Sequence, residues 1–427
     1  MQKIKFNSSN LKISLIFCLF YISILIGFYF NEDSLGGAQN DFNYYYKISL
    51  LFAESFLSTF SEYDTIESGI PTRSSPVFWI ILSQISKFIS YDNLRIINSS
   101  VSLLICFYFF KCLKIRFKQV EDIILAFIAC TIFISPTIRS LSIWPYTNIW
   151  GLLFFIISIF YFLKFLDAKK EEVKFKQSII TIFFVVISAY IHPVFGIFFL
   201  FYFFNFFLIY NFNKKILLLL IFSFVLATPF LFYINSKDIL LVFQSAQGIS
   251  TDSFNTLNIS NKILIISSMI CFFIAPVLNF KLVINELIKL KTVEVIAIII
   301  FCLINIYFFN YPKYIVGFGG GFFYKLSILI FQNNYLFFII SSFSILYIYT
   351  ILKKKLNNSL IFLALILFSP QLTIYHKYYD PLILIIFMTL INFDIKKHFF
   401  DKKYRFLQLY LLSVCYLAIG IFKNQIY

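Results

Sequence analysis

Residues 76–90 read PVFWIILSQISKFIS, from Pro76 to Ser90. The run is apolar but only 15 residues long, and Ser83, Gln84 and Lys87 interrupt it. A membrane crossing needs about 20 apolar residues. Whether this piece crosses or lies on the surface fixes the side of every later loop. Lysine and arginine gather in cytoplasmic loops, so the basic residues decide. With 76–90 left out as a crossing, the segments on the N-terminal side hold 25 of the 36 Lys and Arg and 9 of the 20 acids. Counting it as a crossing moves nearly all basic loops to the opposite side. The charge pattern therefore predicts a surface helix at 76–90, a cytoplasmic N-terminus and one long outer segment over 31–95.

Outward from that segment, composition sets the class. Of 427 residues, 60% are hydrophobic, 22% aromatic and 13% charged. A soluble domain is about a quarter charged, and no polar surface could cover so much Phe, Ile and Leu in water. A soluble enzyme is excluded. The +16 net charge is spread through apolar runs rather than gathered in a basic domain, which excludes a nucleic-acid partner. The first apolar run, Ile13 to Phe30, follows Lys3, Lys5 and Lys12. It leads straight into NEDSLGGAQNDF and reads as an uncleaved first helix. Twelve further runs follow at 97–113, 122–135, 147–166, 178–191, 193–211, 216–234, 263–280, 293–310, 327–352, 359–370, 381–393 and 406–422. The expected fold is an all-α, polytopic membrane helical bundle of about 13 transmembrane helices. Residues 1–427 form a single membrane-embedded domain without a separate soluble part, bathed in membrane lipids.

Within 31–95, the stretch Phe42 to Phe60 is amphipathic. Lys47, Glu54, Ser58 and Ser61 fall on one helical face, and Tyr45, Ile48, Phe52, Phe56 and Phe60 on another. It is predicted to lie in the outer interface, with 76–90 as a second interface helix. Two later helices, 359–370 and 381–393, are short and flank IYHKYYDP, which predicts a pair broken at membrane depth.

Ionisable groups at or near a membrane are costly and so are the first functional candidates. Glu32, Asp33 and Asp41 follow the first helix; Glu62, Asp64 and Glu67 come later. The leading catalytic candidate is Asp41, with Asp33 and Asp64 behind it. Capping of a helix N-terminus is the structural alternative for Asp41. Cations expected on the same side are Arg73, Arg95, Arg139, Lys313, Lys325 and Lys377. Arg139 stands in SPTIRSLSIWPYTN between two predicted helices. Lys377 stands beside His376, Tyr375, Tyr378 and Tyr379. Arginine and lysine bind phosphate through charge-assisted hydrogen bonds. His192, in AYIHPVFG, sits at a helix–proline–helix corner, as suited to a structural cap as to a substrate contact. The seven cysteines lie in or beside apolar runs without CxxC spacing. HExxH, DxD, a Walker loop and GxGxxG are all absent, so no cofactor is specified, and a divalent metal is left open.

Taken in order, these landmarks resemble the GT-C superfamily of integral-membrane glycosyltransferases, specifically its bacterial branch that uses polyprenyl-phosphate-linked sugars. They are DSLGGAQNDFNYYYKISLLFAES, RSSPVFWIILS, LRIINSSVSLLICFYFFKCLK, SPTIRSLSIWPYTNIWGLLFF, AYIHPVFGIFF and YHKYYDPL. The likeness covers about 12–211 and the element near 376. Ser74 and Ser75 stand where that family often has His or Pro, and His376–Lys377 replace its usual arginine. The resemblance implies transfer from a polyprenyl-phosphate-linked sugar to a glycan or lipid acceptor of the cell envelope, on the outer face of a bacterial inner membrane. It implies Asp41 as base, with inversion at the anomeric carbon. Arg139, Arg73, His376, Lys377 and Tyr378 would then lie on the donor-phosphate side, with His192 toward substrate. Two other readings are a flippase of lipid-linked saccharides and an O-antigen-type polymerase. The polymerase would carry an Arg-bearing loop in its second half, where 235–262 has only Lys237 and Lys262.

Overall fold

The computed structural model describes residues 8–63, 75–237, 258–311, 319–353, 355–369, 373–393, 398–400 and 405–426. Among these residues the chain is helical and contains no strand. Among the described residues nine helices are long and apolar enough to cross a membrane, which makes this a multi-pass helical membrane protein. They coincide with nine of the expected runs, although the one at 327–352 is divided. The other four expected crossings, 122–135, 293–310, 359–370 and 381–393, are shorter helices. The chain forms two compact units, Met1–Lys237 with Leu409–Tyr427, and Asp238–Gln408.

The first unit begins with α1 (Ser8–Tyr29), α2 (Ala38–Glu54), α3 (Phe56–Glu62), α4 (Val77–Ser86) and α5 (Tyr91–Arg116). It continues with α6 (Asp122–Cys130), α7 (Pro136–Ile143), α8 (Thr147–Asp167), α9 (Glu171–Ile191), α10 (Phe198–Tyr210) and α11 (Lys214–Lys237). At ten residues, α4 spans only about 15 Å, too short to cross. It packs chiefly on α2. The apolar stripe of α2 is also as expected: Ala38, Phe42, Tyr45, Ile48 and Phe52 are buried. The single helix expected through Phe60 is not formed. Ser55 is extended at φ −146° and ψ 98° and breaks the chain into α2 and α3, leaving Phe56 44% exposed.

A second correction concerns SPTIRSLSIWPYTN, expected as a loop. Residues Pro136–Ile143 form a helix buried on every side. It meets the preceding helical stretch at a 66° bend. Proline cannot continue the helix before it, and the residue ahead of it prefers extended backbone. Ser135 obeys, at ψ 122°, and its hydroxyl accepts from the Ile138 N–H at 3.1 Å, starting α7 with Pro136 at its first position. Irregular backbone between apolar helices is tolerated where protein surrounds it.

Charged helix ends order the unit. The pairs Lys114–Asp122, Lys118–Asp167 and Lys215–Glu171 join α5, α6, α8, α9 and α11 at one end. At the opposite end lie the α1–α2 turn, the start of α5, the end of α7 and the end of the last helix of the chain (Phe406–Ile421). There Asn424 donates to the Ser34 carbonyl at 2.9 Å. The basic loops thus share one end, and the acids Glu32, Asp33 and Asp41 the other.

Among the described residues the most extensive helix contact is α8 on α9. The Gly151 carbonyl accepts from Ser188 Oγ at 2.7 Å. A Cβ at Gly151 would stand 2.8 Å from His192 Cβ and 2.9 Å from the Phe195 ring. Overpacking of this kind costs about 1–3 kcal/mol. Gly151→Ala should therefore lower the thermal unfolding midpoint of the detergent-solubilised protein, followed by tryptophan fluorescence; an unchanged midpoint would mean that the two helices separate freely.

In the second unit we number α12 (Asn258–Ile274), α13 (Phe280–Ile288), α14 (Thr292–Tyr307), α15 (Gly321–Phe331), α16 (Tyr335–Leu352), α17 (Leu356–Leu367) and α18 (Leu382–Thr389). The helix expected over 327–352 is interrupted where Gln332 takes the left-handed conformation at φ 54°. Two broken elements approach the middle of α12 from opposite ends. The first passes Asn310, tied to Asn261 near the start of α12. It resumes at Gly319–Gly321, where a Cβ on Gly321 would touch Met269. The second is α17 and α18, whose bases are pinned by Asn358 to the Ile351 and Asn392 carbonyls at the far end of α16. Their connection bears a 3-10 turn at His376–Tyr378, and the Gly320 N–H donates to the Ile374 carbonyl at 3.0 Å. The break expected around IYHKYYDP is present, as is a second one opposite it.

Candidate functional site

The acidic end of the first unit is built on the turn between α1 and α2. Gly36 and Gly37 take φ of 79° and 91° there, a region that glycine enters without steric cost. The turn is anchored to α7 by the Leu35 N–H, which donates to Ser140 Oγ at 2.8 Å. Asp33 accepts from the Gly36 N–H at 3.1 Å and from the Gln39 N–H at 3.2 Å. Asp33 therefore takes the capping role that the sequence offered to Asp41.

Glu32 and Arg139 form a buried pair, 4% and 7% exposed. Arg139 grips the carboxylate with two donors, Nε at 2.7 Å and Nη2 at 2.5 Å. Its other N–H groups donate to Ser23 Oγ, the Ser23 carbonyl and the Phe133 carbonyl. A guanidinium has five N–H groups, and all five are engaged by α1, Glu32 and the turn before α7. None remains for a phosphate in this arrangement. Arg139 acts as a clamp between α1 and α7.

Asp41 stands in the first turn of α2, half-buried. It shares a helical face with Tyr44 and Tyr45, three and four residues on. Tyr45 stacks on Trp79 of α4 with centroids 4.6 Å apart and planes 3° from parallel. Tyr146, at the α7–α8 corner, meets both rings, at 5.7 Å from Tyr45 and 6.1 Å from Trp79. Beside this cluster, Phe42 packs on Tyr91 and Trp144. Asp41 thus stands one helical turn from an aromatic cluster.

Arg95 was legible only as one outer cation and as the residue opening a helix. The structure makes it the hub of this end. Its guanidinium lies 3.8 Å over Trp144 and 4.8 Å over Phe28. It donates to Asn31 Oδ1 at 2.7 Å, to the Ile143 carbonyl at 3.3 Å and to Asp92 at 3.3 Å. Three of its five N–H groups are thus engaged, in contrast to all five of Arg139. The only advance sign was position: Arg95 opens an apolar helix just where the outer segment ends.

His192 lies at the corner after α9, its Nδ1 3.2 Å from Thr147 Oγ1 of α8. It is buried against Phe195, and ties α8 to that corner. His376, Lys377 and Tyr378 belong to the second unit. His376 packs on Phe273 at 5.0 Å and Phe272 at 5.6 Å; Lys377 lies over Tyr375 at 5.4 Å and Tyr378 at 6.0 Å. Asp64 and Arg73 fall outside the described residues. Among those described, no three His, Cys, Asp or Glu side chains gather as a metal site.

No family model matches this chain, and neither a curated protein nor a solved structure shows significant similarity to it.

Proposed function

We propose that the protein is a membrane glycosyltransferase that moves a sugar from a polyprenyl-phosphate donor to a glycan or lipid acceptor on the outer face of a bacterial inner membrane. The observation that carries the reading is the position of Asp41, half-buried in the first turn of α2 and one helical turn before Tyr45, which stacks on Trp79 beside Tyr146. Asp41 takes the proton from an acceptor hydroxyl as its oxygen attacks the anomeric carbon. The bond from that carbon to the donor phosphate breaks on the opposite face, so configuration inverts. Negative charge passes to the departing polyprenyl phosphate, and Arg95, over the Trp144 ring, is the cation that meets it. The donor supplies the driving force, consistent with a sequence lacking nucleotide-binding motifs. The basic loops at the opposite end support a cytoplasmic position for that end.

The test is the purified protein in nanodiscs with a panel of polyprenyl-phospho-sugars, following donor consumption and new glycosidic bonds. Loss of one donor with formation of a bond is expected. One observation favours the flippase alternative: two broken elements meet from opposite ends in the second unit, an arrangement used by transporters to bind substrate at mid-membrane. Movement of a labelled lipid-linked sugar across sealed vesicles without any new bond would replace the transferase reading with that one.

A further inference from the structure

The basic end of the first unit carries two sets of lysines. Lys114, Lys118 and Lys215 pair with Asp122, Asp167 and Glu171 and hold the helices together. The second set, Lys169, Lys170, Lys174, Lys176 and Lys214, makes no side-chain hydrogen bond, ion pair or ring contact among the described residues. All five lie at the starts of two packed helices, α9 and α11. The Lys215–Glu171 pair, 2.6 Å long, ties those starts together. It brings Lys214 and Lys170, each one residue earlier, into one patch, and Lys174 lies one turn beyond Lys170 on α9. Among the described residues Glu172 is the one acid of these two starts left outside an ion pair. The start of α11 sharpens the imbalance. A helix N-terminus carries partial positive charge and favours anions. Yet α11 has no acid in its first turn and opens with Lys214 and Lys215, of which only Lys215 has a counter-ion. The protein leaves this charge uncompensated.

The patch stands where protein meets lipid. Leu166 at the end of α8 and Leu217 and Leu218 of α11 are exposed, and α11 is among the least buried of the spanning helices. Leucines exposed so close to the lysines set the ammonium groups at the headgroup layer, with their stems along hydrocarbon. Phe212, 93% exposed in the turn between α10 and α11, adds a ring at that level. A soluble partner would have to cover the leucines as well as the lysines, whereas one lipid molecule meets both.

We propose that the starts of α9 and α11 bind an anionic phospholipid, with Lys170, Lys174 and Lys214 on its phosphate and Phe212 and Leu217 against its acyl chains. Phosphate accepts charge-assisted hydrogen bonds from lysine, and basic pockets between spanning helices suit such headgroups. Phosphatidylethanolamine brings its own ammonium to the phosphate. Phosphatidylglycerol and cardiolipin do not, and so complement the net charge of the patch. The site lies at the end opposite Asp41 and is independent of the transferase reading.

Native mass spectrometry tests the assignment without requiring turnover. The full-length protein is released from detergent containing equal amounts of phosphatidylethanolamine, phosphatidylglycerol and cardiolipin. Adducts of the two anionic lipids should exceed those of phosphatidylethanolamine. Lys170→Gln combined with Lys174→Gln and Lys214→Gln should lower the anionic adducts by about tenfold or more and leave the phosphatidylethanolamine adducts unchanged. Lys281→Gln combined with Lys289→Gln and Lys291→Gln removes the same charge from the second unit and should leave both kinds of adduct unchanged. Should the first triple variant not elute as a single species, Lys214→Gln alone carries the test, with a loss of about fivefold expected. Equal retention of the three lipids by the wild type would overturn the proposal. Equal loss in the two triple variants would do so too, by showing a general effect of net charge. A wild type that retains no lipid would also overturn it and leave the lysines to an acidic soluble partner.

Discussion

Asp41→Asn is expected to reduce glycosyl transfer by about 10²–10⁴-fold, the range over which a positioned general base contributes, while the protein still inserts and unfolds at its usual temperature. The substitution keeps the size and hydrogen-bonding shape of the side chain but removes its capacity to take a proton. It also leaves the start of α2 intact, because the cap there is Asp33, which holds the Gln39 N–H. Asp33→Asn is the matched control. It alters an acid five residues before the helix starts, and should lower the unfolding midpoint more than the turnover number. The pair thus separates chemistry from folding: Asp41 shifts kcat with stability unchanged, and Asp33 shifts stability first. Wild-type transfer by Asp41→Asn would remove this residue from the mechanism. Equal loss of transfer in both variants would show that the α1–α2 turn matters as a fold element and that neither carboxylate acts as the base.

How much of this could be read from the chain alone varies by element. That 76–90 is too short to cross followed from its length, and α4 has only ten residues. The buried stripe of α2 followed from helical periodicity. Its end at Ser55 did not, because Phe56 and Phe60 continue the apolar pattern, and only the extended backbone of Ser55 stops it. The burial of α7 was concealed by its composition. Thr137, Arg139, Ser140 and Ser142 look solvated, yet the side chains of the last three are engaged within the protein, two of them by partners far away in sequence. Arg139 meets Glu32, Ser140 receives the Leu35 N–H, and Ser142 turns back on the Ile138 carbonyl. Arg95 was undervalued for the same reason, since its hold on Trp144 and Asn31 depends on three segments that only the fold unites. Asp41 and Asp33 were recognised as a pair of candidates, but which of them caps the helix depended on the Gly36–Gly37 turn that returns Gln39 to Asp33.

The other large effect concerns Glu32 and Arg139. Either single change, Glu32→Gln or Arg139→Met, leaves an unpaired charge in a buried site, for which about 3–5 kcal/mol of stability is typically lost. A native domain has only about 5–15 kcal/mol in total, so each single variant should express poorly and lose most of its folded population on mild heating. Replacing both partners is a different perturbation. Glu32→Gln with Arg139→Met leaves no buried ion, and stability should recover a substantial part of the loss, giving a coupling energy well outside the additive range. Activity distinguishes the clamp from a phosphate-binding role. All five donors of Arg139 are engaged by Glu32, Ser23 and Phe133, so the folded double variant should retain the donor KM of the wild type. A donor KM raised by two orders of magnitude in a double variant that is otherwise folded would mean that Arg139 exchanges Glu32 for the phosphate during turnover. Glu32 would then be the placeholder for an anionic substrate, and Arg95 would lose its place as the cation that receives the leaving group.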